Sequence, residues 1–310
     1  VLHRARIVPE TLRQDHSERP LAGAPESGKI SRMKLTHLGV IAARGPDTRR
    51  FLNGQLSQDL STLADDRAAR AGLHNPQGRV LAILSVLPQG NEDVLLVLPR
   101  ERISSTLALL QRFVLRAKVK LTDDSALWSI EGGWPPTPSG DAGSVWSYAA
   151  DGRWLHLAPK HAAVDPASAA ITTSDVSPST ELDRQLDAWQ LADIRAGLPM
   201  ITEATAGEFV AQMLNLDLLE TISFTKGCYT GQEVIARAHY RGRVKRRLQR
   251  FDSSMVASGE LEPAASITLR DGRNAQVVQV AKNDAGSTEF LAVTTFDLPS
   301  LPLGYALPSE

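Results

Sequence analysis

Cysteine is almost absent from this sequence: Cys228 is the only one in 310 residues. A single thiol excludes an intrachain disulfide framework and any metal site built from several cysteines of one chain. It fits a reducing compartment, and the cytoplasm is the expected place. No run approaches the roughly 18 apolar residues of a membrane span, and no apolar signal-peptide core precedes a cleavage site. Charge of either sign is not in excess. The net charge of −1 gives no global argument for nucleic acid or membrane, so any electrostatic case is local. The seven histidines show no metal-ligand pair spacing. There is no G-x-S-x-G, no phosphate-binding P-loop and no dinucleotide fingerprint. Common hydrolytic, nucleotide-dependent and metal chemistries are thereby set aside.

What is present reads as an ordinary globular chain, 42% hydrophobic and 22% charged, long enough for two or three cores. Residues 1–32 mix arginines with acids, and Pro, Gly and Ser crowd 20–28; this is expected to be a disordered N-terminal arm. From Met33 the pattern alternates strands and helices. Leu38–Ala42 predicts a strand, and a helix carrying Phe51 and Leu52 follows and ends at Gly54. Strands Ala69–Asn75 and Val80–Leu87 are joined by the turn quartet Asn75-Pro76-Gln77-Gly78. Val94–Leu98 is a strand and 100–114 an amphipathic helix. Beyond a boundary near 123, Leu127–Ile130 and a hairpin about Asp151-Gly152 lead to a helix from Thr180 to about Ala196, stopped by Gly197 and Pro199. Short strands after 240 suggest a small closed or half-closed barrel.

The stretch that stands out is Lys226-Gly227-Cys228-Tyr229-Thr230-Gly231-Gln232-Glu233. Thr230 to Glu233 has the T-x-x-E form of a capping box, with Val234, Ile235 and Ala238 as the apolar positions of a short helix. Cys228 then lies just outside a helix N-terminus, where dipole and unpaired amides favour an anion. Lys226 acts in the same direction, and both favour the reactive thiolate. The alternative is a helix entry beside a small structural cysteine.

The octapeptide K-G-C-Y-T-G-Q-E resembles the signature of the YgfZ family of folate-binding proteins, which are linked to iron–sulfur enzyme maintenance and tRNA modification. That family is related to the aminomethyltransferase of the glycine cleavage system. Phe51-Leu52-Asn53-Gly54-Gln55, Asn75-Pro76-Gln77-Gly78, Ala196-Gly197-Leu198-Pro199 and Asn215-Leu216-Asp217 through Tyr240-Arg241-Gly242 are similar to family blocks in family order. The resemblance covers about 33–250 well and the barrel loosely. It implies an α+β fold in which two interleaved α+β subdomains, spanning 33–240, and a C-terminal β-barrel over 241–310 form a three-domain ring around a folate pocket. It also implies tetrahydrofolate or a derivative as cofactor. Cys228 and Lys226 are the implied reactive pair, with Trp189, Leu38, Tyr229, Gln232 and Arg241 toward the folate. Read from periodicity alone, Trp189 is a core residue of its helix.

The sequence departs from the aminomethyltransferases where their chemistry sits. An aspartate follows their N-P-x-G-like turn, whereas Ala82 and Ile83 stand here, with no carboxylate through Val86. Arg195 occupies a position where relatives commonly carry glutamate. A third local feature is the basic segment from Arg237 to Arg250. Spacing by two puts Arg241, Arg243, Lys245 and Arg247 on one face of an extended strand, fit for a folate tail, a phosphate or tRNA, or else a solvated face. Three readings follow. One is a folate-binding accessory protein for assembly or repair of iron–sulfur enzymes, acting with those enzymes or their assembly machinery. The others are a one-carbon transferase, which Ala82 opposes, and an RNA-binding module.

Overall fold

The computed structural model describes residues 32–295 apart from 62, 91, 138–142, 161–177, 243 and 284; of 178–183 only the backbone is described. The arm expected over 1–32 lies outside it except for Arg32. Among the described residues, fourteen strands fall into three sheets. The first is five-stranded, in the order β3-β4-β5-β2-β6. It contains β2 (Leu38–Arg44), β3 (Ala69–His74), β4 (Val80–Gln89), β5 (Asp93–Pro99) and β6 (Lys120–Asp123). Its central strands are apolar on both faces, and the strand period of two divides them between two cores. Ile41, Leu84, Val86, Leu96 and Leu98 pack with helices α1 (Thr48–Asn53) and α2 (Ile103–Gln111). Val40, Ala42, Leu87, Leu95 and Val97 pack on the opposite side with Trp146, Leu155 and Trp189.

That opposite layer is a four-stranded sheet, ordered β1-β7-β9-β8. It contains β1 (Arg32–Lys34), β7 (Trp128–Gly133), β8 (Ser144–Ser147) and β9 (Trp154–Pro159). β1 precedes the five-stranded sheet in the chain yet pairs antiparallel with β7 beyond it. The chain thus leaves the second sheet before building the first and returns to complete it. The expected hairpin forms, and Gly152 supplies its turn at φ +83°.

Helix α3 (Pro178–Arg195) lies between this layer and the C-terminal sheet. Its Trp189 and Ala192 join the core beside β7 and β9. Leu191 and Ile194 face the other way, toward Phe209, Leu214, Val278 and Leu291. The C-terminal sheet runs β10-β14-β13-β12-β11. It contains β10 (Arg246–Asp252), β11 (Val256–Ser258), β12 (Ser266–Leu269), β13 (Asn274–Lys282) and β14 (Thr288–Thr295). Phe251, Ile267, Val277 and Phe290 fill its concave side. Among the described residues β10 and β11 stand at its two edges, so the sheet is a half-barrel. Among the described residues no helix is long and apolar enough to cross a membrane.

Candidate functional site

Trp189 and Leu38 line one small cavity, together with Tyr148, Arg70, Asp193 and Met200. Trp189 itself is only 1% exposed. Trp134 meets it edge-on at 6.1 Å, and the Tyr148 ring lies 5.2 Å away. Gly132 is required behind it, since a Cβ there would come within 2.7 Å of the indole. Leu38 and Trp189 thus line the same cavity, with the Tyr148 ring beside the indole.

Asp193, one helical turn beyond Trp189, is buried with Arg153 from the β8–β9 hairpin. Arg153 Nη1 donates to Asp193 Oδ1 at 2.8 Å and its Nε to Asp151 Oδ2 at 2.7 Å. Its guanidinium lies 4.7 Å from the Trp189 ring and 5.2 Å from the Tyr148 ring, cation–π contacts that add to the ion pairs. Burial opposes the Arg153 charge, but Asp193, Tyr148 and Asp151 outweigh it and hold the pKa above the usual value. Burial also raises Asp193 above the ordinary carboxylate range, with Arg153 and Arg70 pulling against it. Tyr148 is pushed up to about 12, by burial first and then by Asp193. Its hydroxyl accepts from Arg70 Nη1 at 3.1 Å. Arg70 Nη2 donates to the Pro199 carbonyl at 2.7 Å, which brings the Ala196–Pro199 block to the site. Arg153 Nη2 and Arg70 Nε are buried without a hydrogen-bond partner. Such donors are costly to leave unpaired.

Tyr148 and Arg70 also belong to the wall of an open cleft of about 640 Å³, shared with Gln58, Arg67, Leu198 and Glu220. Reading the sequence did not find Tyr148, Arg153, Asp193 or Arg70. One signal was available: Asp193 falls on the apolar face of its helix, and a buried acid there needs a cation. Arg195, at the position of the expected glutamate, makes a bidentate pair with Glu289 of β14, 2.6 Å at the shorter contact.

The octapeptide adopts a loop followed by α4 (Gln232–Arg241). The capping box does not form. Gly231 is the N-cap residue, at φ +83°, with no side-chain cap bond. Glu233 turns outward to Arg237 at 3.1 Å. Backbone packing decides this: a Cβ on Gly231 would lie 2.5 Å from the Asn75 carbonyl and 3.2 Å from Gly78. The Asn75–Gly78 turn is thus pressed against the helix start. Of the three apolar positions named for this helix only Ile235 is buried; Val234 is 42% exposed.

Cys228 is exposed on this loop. Lys226 is directed inward, and its amine donates to the carbonyls of Asn53, Leu56 (2.7 Å) and Gln58 (3.0 Å). All three N–H groups are occupied there, 5.2 Å from the buried Tyr229 ring. Burial lowers the Lys226 amine to about 8, with Asp59 opposing, and raises Tyr229 to about 12. Gln232 opens α4 and its amide reaches the Tyr229 carbonyl at 3.2 Å. Arg241 ends the helix, exposed. Tyr229, Gln232 and Arg241 line neither the Trp189 cavity nor the large cleft. The connection is indirect: Lys226 holds the carbonyl of Gln58, a residue of the cleft wall.

The basic stretch does not form one strand face. Arg237 and Arg241 are helical, and Arg243 lies outside the described residues. Arg247 is internal, paired with Asp217 through two contacts of 3.0 Å and also bound to Asn215 Oδ1. Arg246 reaches the Val293 carbonyl. Among the described residues no group of three or more His, Cys, Asp or Glu side chains could hold a metal ion. Ala82, at the position where the resemblance to the aminomethyltransferases implies their aspartate, is fully buried in β4.

No protein-family model matches the chain. Among curated relatives it is 31% identical to the tRNA-modifying protein YgfZ of Edwardsiella ictaluri, over 89% of this chain and 88% of that one. It is 30% identical to the YgfZ protein of Escherichia coli O157:H7, over 79% and 78%. An uncharacterized protein of Haemophilus influenzae is 30% identical over 74% and 76%. The fold resembles the glycine cleavage system aminomethyltransferase T of Bartonella henselae, with a TM-score of 0.61, 12% identity, and coverage of 85% and 78%.

Proposed function

The chain belongs to the YgfZ family, and on that premise we propose that it is a cytoplasmic folate-binding accessory protein for assembly or repair of iron–sulfur enzymes, and thereby for tRNA modification. Its three sheets are read as the three-domain ring of the aminomethyltransferases: 33–240 around the folate, 241–310 as the half-barrel. One observation carries the reading. Lys226 ties the loop bearing exposed Cys228 to the wall of a cleft large enough for a folate.

A reduced folate joins a flat heterocycle through a benzoyl group to a carboxylate tail. It therefore needs an aromatic or apolar surface and cations at separate places. The residues present fit it. Tyr148 and Arg70 belong to the cleft wall, Leu38 and Trp189 line the cavity that adjoins it, and exposed Arg67, paired loosely with Glu220 at 3.8 Å, brings a guanidinium to the rim. When bound, the folate supplies a one-carbon carrier or an effector. The chain's own residues bind and orient it, and the Arg153–Asp193 pair keeps Tyr148 and Trp189 in place. No carboxylate stands at Ala82, so aminomethyl transfer is not assigned. Cys228 is the group presented to a labile iron–sulfur species on a partner, to which it can contribute one thiolate.

Titration with tetrahydrofolate should quench tryptophan fluorescence, and Tyr148→Ala should weaken binding by about tenfold, the scale of one well-packed ring contact. Absence of quenching and of calorimetric heat in the wild type would remove the folate assignment. In cells lacking the protein, iron–sulfur enzyme activity should be restored by the wild type and not by Cys228→Ser. Full rescue by that variant would remove the assignment of the thiol.

A further inference from the structure

The outer surface of α4 carries a feature that the folate cleft does not use. Phe224, four residues before Cys228, stacks on His239 with centroids 3.9 Å apart and planes 16° from parallel. Tyr240 stands edge-on to both, at 6.1 Å from Phe224 and 4.8 Å from His239. It is nonetheless 68% exposed. An aromatic cluster of this kind ordinarily closes a core, yet here Tyr240 is left largely in solvent. Arg237, at i−3 from Tyr240, lies on the same side of the helix, and Arg241 follows Tyr240 as the exposed last residue of α4. Lys245 follows, exposed, just past its end. The one acid of α4 is Glu233, and it is engaged with Arg237 in an exposed pair. Arg246 and Arg247 are taken up internally and do not contribute.

We propose that this ledge binds single-stranded RNA, with an unpaired base stacked on Tyr240 and the adjoining phosphates met by Arg237, Arg241 and Lys245. Two features select this occupant. A rigid, solvent-facing ring braced from behind by a stacked pair is a platform for a π-face, which every base has and which a duplex keeps hidden. The cations flanking the ring suit a backbone with a negative charge at every residue. An acidic protein segment would satisfy the cations but leave the ring without a flat partner. Phe224 belongs to the segment leading into the octapeptide loop. The inference uses no property of the folate cleft and stands or falls separately from it.

The test is fluorescence anisotropy of the full chain with a labelled unpaired RNA of about twelve nucleotides, within the usual site size for such surfaces, and with a hairpin-free duplex of the same composition. Wild type should bind the single strand more tightly than the duplex. Tyr240→Ala should weaken single-strand binding by about tenfold, as expected for one stacked base, while Tyr240→Phe retains it. Arg241→Ala should reduce the slope of log affinity against log salt by about one. Tyr240 is exposed, so these variants are expected to fold, and tetrahydrofolate binding by each serves as the control. Equal binding of single strand and duplex overturns the inference, as does an unchanged affinity in Tyr240→Ala. So does absence of RNA binding at low salt, which would leave the ledge to a protein partner. Loss of folate binding by the wild type with RNA binding intact would count against the folate assignment alone.

Discussion

His74 is 1% exposed at the end of β3, and neither ring nitrogen has a hydrogen-bond partner. Burial lowers its pKa from 6.5 to about 3, so it is neutral in the folded protein and charged in the unfolded one at mildly acid pH. The unfolded state then binds more protons, and stability falls as pH drops below about 6.5. At pH 5 the loss from this residue is about 2 kcal/mol at 1.36 kcal/mol per unit. Urea titrations at pH 7.5 and 5 should show it, and His74→Leu should flatten that dependence; an equal slope in the variant would assign it elsewhere. Lys226 gives a different kind of prediction. Its three bonds hold the Asn53–Gln58 segment to the octapeptide, so Lys226→Met should cost roughly 2–4 kcal/mol, the desolvated charge offsetting part of bonds worth about 1.5–3 kcal/mol each. Cys228, being exposed, should react with a maleimide without denaturant. Protection until unfolding would mark it as structural.

The element that most depends on its surroundings is α4. Its sequence offers a threonine cap, yet a glycine caps it, because the Asn75–Gly78 turn approaches too closely for any side chain at 231. Gly78 is subject to the same contact from the other side: a Cβ there would meet Val234 at 3.1 Å, at φ +73°. Gly231→Ala should therefore cost about 3 kcal/mol or more, combining left-handed strain of about 1–3 kcal/mol with a backbone clash. Thr230→Ala should cost well under the ~1 kcal/mol typical of a lost cap. Similar losses in both variants would restore the threonine cap. β10 tells a related story. Arg247 reads as one more cation in a run, but its partner Asp217 sits thirty residues earlier, a 14%/5% exposed pair. Asp217→Ala should destabilise by about 3–5 kcal/mol, since a nearly buried guanidinium would be left uncompensated.

At the scale of the whole molecule, the order in which sheets are entered decides what can form a site. β1 returns to pair with β7, β8 and β9 carry Tyr148 and Arg153 to α3, and α3 carries Trp189 and Asp193 to meet them. The fold is that of the aminomethyltransferase neighbour, but the strand position that would hold a catalytic carboxylate is Ala82, packed on Leu73 and its neighbours in a closed core. Incubation with tetrahydrofolate and an aminomethylated carrier protein should release no ammonia above background. Turnover would mean that another residue supplies the carboxylate.

The sequence by itself determined the local elements. Strands β2 to β5, the Asn75–Gly78 turn, the hairpin at Gly152 and α3 with its Gly197 stop are legible because periodicity and turn chemistry are properties of neighbouring residues. The octapeptide and the family blocks were equally legible as motifs. Only the tertiary structure decided which of these blocks meet. It brought the Asn53–Gln58 segment to Lys226, the Asn75–Gly78 turn to Gly231 and Asn215–Asp217 to Arg247. It also placed Trp189 beside Tyr148, divided the site residues between a cleft wall and a separate loop, and broke the basic run into outward and inward charges. Hydrogen-bond partners and buried charge pairs are settled by distance in space, and residues a hundred positions apart carry no mark in the chain of being three ångströms apart in the fold.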